Sequence, residues 1–521
     1  VWLVVVLFLM LTNLPTLLAL VSAPPGTTFG GSLSNLIDIH SHLAKMQQGK
    51  RGDWMNVLLF TSEPHEPVWI LTHYQTLGHI ARLMNLSVPL VYHLARAVLS
   101  AVMVWALYAF LRRYLEPRGA WWGLLLTLFG GGIGFVLYFV TPEMAREVAP
   151  IELWLQDGYM YLAATTFPHF AIAITLLMVS LIMIERWAED KPGSLLVLLF
   201  TTFGVSIVQP HGLPLIDLIL VGVVGWRVVR GQMNFVRALR GLIVIGVFHA
   251  AIIGYPLVVL YTYPVWREFT AQNVLSSPAP IYYVLGYLPL LLPALGGIVI
   301  AVRRRDERWL LPILWLALVT LLLYAPLATQ RRYTLAIQAP LAALMVYWFA
   351  QVGVPALRRR LRGRANLVLI LYSAVCVIAT ALMFQTQLLA VADKEDRHIY
   401  HSDDQRAAWD WISANTAPTD LFLSSFEAGG QIPAYTGRRV MLGHWIETVD
   451  YLRKKAAVAA FFDPATPDNE RWVLMSEQGV HYVWYGPDER ALGTWSPTAI
   501  PLLVPAFEGA TITIYRVDWV R

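Results

Sequence analysis

Cysteine is almost missing from this chain. The one residue, Cys376, lies inside an apolar stretch, so an intrachain disulfide and a cysteine metal centre are both excluded. It reads as a small lipid-facing or packing residue. Charge is scarce as well: 14% of the 521 residues are Asp, Glu, Lys or Arg, against 57% hydrophobic. A soluble chain of this length has no use for so much apolar surface, and a polytopic membrane protein follows. There is no Gly-rich dinucleotide fingerprint and no P-loop, which removes the nucleotide-binding classes that those motifs mark. The formal net charge of +5 is no nucleic-acid signal, because the basic residues sit in short clusters between apolar runs, as topology determinants do. Internal repeats and hydropathy symmetry between halves are also absent, which counts against a transporter.

What is present is a succession of apolar segments. Eleven spanning helices are expected, at 1–22, 88–111, 120–140, 166–184, 194–209, 213–229, 241–262, 282–302, 309–327, 333–351 and 366–391. Every second loop is basic: Arg112, Arg113 and Arg118; Arg186 and Lys191; Arg227, Arg230, Arg237 and Arg240; Arg303, Arg304, Arg305 and Arg308; and the run from Arg358 to Arg364. By the positive-inside rule these loops are cytoplasmic, and everything after the eleventh helix faces out. Val1–Leu20 is read as a first membrane helix lacking its cytoplasmic start, with the tail of a signal peptide cleaved near Ala23 as the other reading.

The expected architecture is therefore an α-helical transmembrane domain, 1–391, and a soluble extracytoplasmic α/β domain, 392–521. An outer loop, 23–87, carries two amphipathic stretches near Leu33–Gly49 and Val68–Leu86, expected to lie along the interface. Residues 141–165 and 263–281 form further outer segments. In the C-terminal domain, helices are expected at Asp403–Asn415, Glu447–Phe461 and Asp468–Gly479, and strands at Asp420–Ser424, His481–Tyr485 and Thr511–Val517, an alternation that suggests an α/β layer structure.

Chemistry concentrates in the first outer loop, with Asn35-Leu-Ile-Asp38-Ile-His40-Ser-His42 and Thr61-Ser-Glu63-Pro-His65-Glu66-Pro. On a helix, Asp38 and His42 share a face. Asp38 is a candidate general base, and Asp38, His42, Glu63 and His65 are candidates for a divalent-metal site. The bland reading is a polar helix face meeting water and headgroups. His169, in Phe167-Pro-His, and His211, in Gln209-Pro-His, stand at outer helix ends, where a capping or hydrogen-bonding role competes with a ligand role. Arg331 and Arg332 break the positive-inside pattern. Binding an anionic headgroup or a phosphate would account for them, as would snorkelling or acid pairing. Arg96 and Asp217 lie at membrane depth, where an ionisable residue usually faces a cavity or a partner. In the C-terminal domain, Ser425-Phe-Glu427-Ala-Gly-Gly, Tyr435-Thr-Gly-Arg438-Arg439 and Gly443-His444-Trp445-Ile-Glu447 are read as loops. Their aromatics beside acids would suit a sugar, and turn chemistry explains them equally well.

In overall plan the chain resembles the GT-C superfamily of membrane glycosyltransferases. A first helix, a long outer loop with an early acid at Asp38, some ten further helices and an outward soluble domain follow one another. The strings Glu63-Pro-His-Glu-Pro67, Phe167-Pro-His-Phe170, Gln330-Arg-Arg-Tyr333 and Tyr435-Thr-Gly-Arg-Arg…Gly-His-Trp445 look like those of bacterial cell-envelope proteins of this type. The superfamily often carries an acidic pair in this loop; here Asp38 is followed by Ile39. The resemblance implies transfer of a sugar from a polyprenyl-phosphate donor to a glycan, lipid or protein acceptor at the outer face of the cytoplasmic membrane, with inversion. It implies Asp38 as general base with Glu63 as the second acid. Arg331, Arg332 or Arg96 would hold the donor phosphate, and His169, His211, Glu427, Tyr435, His444 and Trp445 would contact sugar or acceptor. A magnesium or manganese ion at Asp38, His42 and His65 would be an aid, not a requirement. The C-terminal domain would cover the site. Two further readings stand beside it: a non-catalytic accessory subunit of a membrane assembly, and a lipid or solute transporter.

Overall fold

The computed structural model describes residues 1–519. Val520 and Arg521, the end of the expected C-terminal domain, lie outside the described residues. All eleven expected segments contain helix, and nine helical spans among the described residues are long and apolar enough to cross a membrane, with Pro117–Val140 and Gln330–Leu361 each counted as one interrupted span. The other two are shorter. Ser194–Val208 has 15 residues and Leu310–Leu322 has 13, so at ~1.5 Å per residue each falls short of a ~30 Å hydrocarbon core.

Two compact units divide the chain. The first comprises Val1–Pro15, Ala95–Gly254 and Leu275–Ala390. Its third apolar segment, expected as one helix over 120–140, is broken. Pro117–Phe129 is helical, Gly130, Gly131 and Gly132 are not, and a 3-10 turn at Gly134–Val136 leads into Leu137–Val140. Three glycines in a row are poor helix formers. Here they also permit close approach, since a Cβ at Gly132 would fall on the Gly286 backbone. Broken backbone at membrane depth needs protein partners. Gly131 N–H donates to Cys376 O at 2.6 Å and Ile133 N–H to Leu285 O at 2.9 Å, while Gly130 O accepts from the Gln338 amide. Cys376 is buried. The tenth segment is also not a plain helix. Gln330–Thr334 is a 3-10 turn, Ala336 adopts φ +58°, and regular helix begins with Gln338–Trp348.

The second unit comprises Thr16–Leu94, Tyr255–Val274 and Val391–Arg521. The first outer loop thus belongs with the C-terminal region. Its two helices, Leu36–Arg51 and His73–Leu83, pack through glycines: a Cβ at Gly49 would strike Gln75 O, and one at Gly78 would strike Met46 O. Leu36–Arg51 packs also on the Phe426–Thr436 helix. Its His40, Ser41, Lys45 and Gln48 are buried, so of the two readings of this helix the polar face meeting water does not hold for these residues, which form a polar interior.

Strand β1, Thr27–Phe29, pairs antiparallel with β2, Tyr400–Ser402. The main sheet has five strands: β3 (Leu421–Leu423), β4 (Arg439–Val440), β5 (Tyr482–Tyr485), β6 (Leu503–Glu508) and β7 (Thr513–Val517), in the order β4-β3-β5-β7-β6. β3 runs parallel to β4 and β5, and the β5–β7 and β7–β6 pairs are antiparallel. Alternation along β3 feeds two cores. Leu421 and Leu423 join Phe461, Phe462 and Met475; Phe422 joins Trp409, Ile432 and Ile514, with Leu59 and Phe60 from the first loop. The α/β layer expectation describes this unit. The stretch 426–436, expected as loop, is a helix: Ser425 caps it by accepting the Ala428 N–H, and Gly437 ends it at φ +70°. The helix expected from Glu447 starts at Tyr451, after Asp450 at φ +52°. Edge strand β6 contains Pro505, which masks a strand in sequence.

Candidate functional site

Within the second unit, Asp38 stands in the first turn of Leu36–Arg51, where the positive end of the helix dipole favours an acid. Its Oδ1 lies 3.3 Å from His444 Nε2, and the side chains are 38% and 4% exposed respectively. His444 Nδ1 accepts two backbone N–H bonds, from Ile446 at 3.2 Å and Glu447 at 3.3 Å. That nitrogen is therefore unprotonated, so the ring proton sits on Nε2 and is directed at Asp38. The loop is anchored by Thr448, whose Oγ1 donates to Phe60 O at 2.7 Å and accepts the His444 N–H. Trp445 beside it is 36% exposed.

One and two turns along the same helix face, Ser41 and Lys45 meet Glu447. Lys45 Nζ lies 2.6 Å from both Ser41 Oγ and Glu447 Oε1, and Ser41 Oγ donates to Glu447. Burial pushes the Glu447 carboxyl up; Lys45, then His444 and Ser41, more than reverse it, and the group titrates below its usual range. His40, also buried, is pushed down to about 3 by desolvation and then by His401, His398 and His444. His40 is therefore neutral at physiological pH.

The remaining first-loop candidates go elsewhere. Glu63 accepts from Lys454 Nζ at 2.6 Å and from Thr61. Burial raises its pKa and these partners bring it below normal. His42 stacks on Tyr74, with ring centroids 4.1 Å apart. His65 Nε2 accepts the Leu58 N–H at 2.9 Å and its Nδ1 faces Glu63 O at 2.8 Å. Both nitrogens of His65 are committed, so the expected Asp38, His42 and His65 ligand set is not assembled. No group of three or more His, Cys, Asp or Glu residues suited to a metal ion occurs among the described residues. Tyr435 donates to Gly30 O at 2.6 Å and stacks on Trp409 at 4.2 Å, which makes it a packing residue. Glu427 is exposed in the first turn of Phe426–Thr436.

Within the first unit, a second polar cluster forms around Asp157. Arg332 Nη1 contacts Asp157 Oδ1 at 3.0 Å and Oδ2 at 3.1 Å, and Gln209 Nε2 donates to the same carboxylate at 3.3 Å. Burial raises the Asp157 pKa, and Arg332 and Arg331 only partly offset it. Arg332 lies over the Phe170 ring at 5.7 Å and Arg331 over Trp154 at 5.1 Å. His211 Nδ1 meets Thr329 Oγ1 at 3.3 Å; burial, and then Arg332, push it down to about 4. His169 packs on Phe170 at 4.3 Å. The structure thus joins four of the expected residues, Arg331, Arg332, His169 and His211, through aromatics and an acid that sequence reasoning did not select. Asp157 lies within the outer segment 141–165. Arg96 does not belong to this cluster as a ligand. It is 1% exposed, and its nitrogens donate to Thr12 O at 3.0 Å, Ala164 O at 2.9 Å and Asn13 Oδ1 at 2.7 Å. It ties backbone together and offers no surface to a phosphate.

No family model matches the chain, and no curated protein matches it. Solved structures do. The oligosaccharyltransferase of Archaeoglobus fulgidus, tethered to an acceptor peptide containing the NVT sequon, aligns with a TM-score of 0.51 at 12% identity, over 92% of this chain and 69% of that one. Its complex with zinc and sulfate aligns at 0.51 and 13%, over 93% and 68%. ArnT from Cupriavidus metallidurans in the apo state aligns at 0.50 and 13%, over 97% of both chains. At such identities the likeness is one of fold. This chain has the fold of the archaeal oligosaccharyltransferase and of ArnT.

Proposed function

We propose that this protein is an inverting glycosyltransferase of the cytoplasmic membrane, taking a sugar from a polyprenyl-phosphate donor to an extracytoplasmic glycan, lipid or protein acceptor. The observation that carries the reading is the Asp38–His444 pair on a GT-C fold. Asp38 is the general base: it takes the acceptor hydroxyl proton as that oxygen bonds to the anomeric carbon and the bond to the phosphate oxygen breaks. His444 Nε2–H holds one carboxylate oxygen and so orients Asp38; it is a positioning residue. Exposed Trp445 offers a sugar an apolar face. Arg331 and Arg332 carry the positive charge suited to the polyprenyl phosphate as it leaves. The five basic loops support the orientation with the C-terminal region outside. Asp38, His42 and His65 are not gathered into one ligand group among the described residues, and the step as written uses this chain's own residues.

One observation favours a non-catalytic accessory subunit. Glu63 and Arg332, both expected in the chemistry, are engaged by Lys454 and Asp157. The deciding experiment is binding of undecaprenyl phosphate to the purified protein, wild type beside Arg331→Ala/Arg332→Ala and Asp38→Asn. Saturable binding that the arginine changes weaken and Asp38→Asn retains supports the transferase. Absence of specific binding by folded protein moves the assignment to the accessory subunit.

A further inference from the structure

A cavity of about 370 Å³ lies at the basic ends of three helices of the first unit, and none of its lining residues belongs to the Asp38 or Asp157 clusters. It is lined by Trp226, Arg230, Val302, Arg305, Leu310 and Ile313, together with Ala301, Asp306 and Glu307. Its composition is split. Trp226 and Val302, 42% and 62% exposed, come from the last turns of the apolar helices Gly212–Val229 and Pro280–Arg303, and Leu310 and Ile313 from the start of Leu310–Leu322. That half of the wall is hydrocarbon-compatible and continues into membrane-spanning helices. The other half is charged. Residues 226–230 and 301–308 hold six arginines against two acids.

Both acids are already engaged. Asp306 takes Arg308 on both oxygens, at 2.9 and 2.7 Å. Glu307 takes Arg230 and Gln232, each at 2.8 Å. Arg305 is exposed at φ +53° and has no side-chain hydrogen bond or ion pair. An uncompensated guanidinium above an apolar slot, with a tryptophan at the interface, matches a molecule that is anionic at one end and a hydrocarbon chain at the other. We infer that this cavity is a binding site for an anionic phospholipid, its phosphate at Arg305 and Arg230 and one acyl chain along Trp226, Val302, Leu310 and Ile313. The inference is independent of the proposed transferase activity.

The test is phosphatidylglycerol binding to delipidated full-length protein, read by native mass spectrometry, with phosphatidylcholine and inorganic phosphate as the other probes. Arg305→Asn removes the charge while Asn tolerates the left-handed backbone. It should weaken phosphatidylglycerol binding about fivefold; Arg305→Lys should restore most of it, and Arg303→Asn, outside the lining, should leave it within about twofold. Equal losses for Arg305→Asn and Arg303→Asn would reduce the effect to general surface charge and overturn the site. So would equal binding of phosphatidylcholine, or competition by inorganic phosphate as strong as that by the lipid.

Discussion

Lys45→Met is the sharpest perturbation of the Asp38 environment. Lys45 and Glu447 are 2.6 Å apart and only 3% and 5% exposed. Removing one member of such a pair leaves an uncompensated buried charge, a loss of about 3–5 kcal/mol. For a unit of this size each kcal/mol moves Tm by about 2–4 °C, so the expected drop is roughly 6–20 °C. The pH dependence has a definite sign. In the wild type, Lys45 is the chief reason that Glu447 titrates below normal despite its burial. That contribution is complete above the usual glutamate value near ~4.3 and is lost as pH falls through the lowered value. Without Lys45, burial dominates and the Glu447 pKa rises, so the variant gains stability as the group protonates. The gap between the two proteins is therefore widest near neutrality and narrows towards pH ~4. Lys45→Met/Glu447→Leu should recover most of the loss, since no charge remains buried. Tryptophan-fluorescence melting of the purified full chain across pH measures all three proteins. A gap below ~3 °C at neutral pH, corresponding to about 1 kcal/mol, a gap that ignores pH, or a double variant no better than the single would refute the reasoning.

Glu489 is buried and accepts the Ser425 and Gly486 N–H groups at 2.7 and 2.8 Å, and burial pushes its pKa up to about 7. The folded state therefore binds the extra proton, and stability declines as pH rises from the usual glutamate value through 7, by about 3 kcal/mol in all. Glu489→Gln should flatten that slope in a Tm–pH series; an unchanged slope would assign it to other groups. Gly78→Ala forces a methyl onto Met46 O and should cost about 1–3 kcal/mol. Gly225→Ala, in a helix with open space around it, should instead gain up to about 1 kcal/mol; similar melting shifts for both would contradict the packing account. Arg96→Leu strips donors from Thr12 O, Ala164 O and Asn13 and should lower Tm by several degrees. Undecaprenyl phosphate binding per folded molecule should stay unchanged, and a selective loss of binding would return Arg96 to the phosphate.

The apolar segments were legible because membrane thickness imposes a length on them, and a run of that length is visible without knowing its neighbours. The break at Gly130–Gly132 was not, although the glycines were in view, because hydropathy carries through them and the compensating bonds come from Cys376, Leu285 and Gln338. Asp38 could be selected as an early acid on a helix. Its partner could not be assigned, because His444 is 406 residues away and the Gly443-His444-Trp445 string reads equally as a turn or a sugar contact. Lys45 sits two turns from Asp38, a spacing that predicts a shared face, but that spacing alone does not tell a wet face from a buried one. Helix periodicity tells which residues point the same way; what lies opposite depends on the Phe426–Thr436 helix, itself obscured by its glycines and Pro433.

The polar residues sort by how fully the protein already satisfies them. A guanidinium has five N–H donors. Arg438 commits its own to Thr416 Oγ1, Thr436 O, Ser413 O and Thr416 O, and Arg96 likewise serves carbonyls and an amide. Such residues hold backbone that would otherwise lack partners, and a ligand could reach them only by taking those bonds away. The same holds for Glu447, Lys45, Glu63 and Lys454, whose charges cancel in pairs inside the second unit. Asp38 differs. Its carboxylate is more than a third exposed while the imidazole that orients it is almost completely buried and fixed in tautomer by two backbone N–H groups. The proposed general-base role rests on this pairing of a solvent-accessible carboxylate with a buried, directed donor. The surrounding polar interior keeps His444 in place beside it.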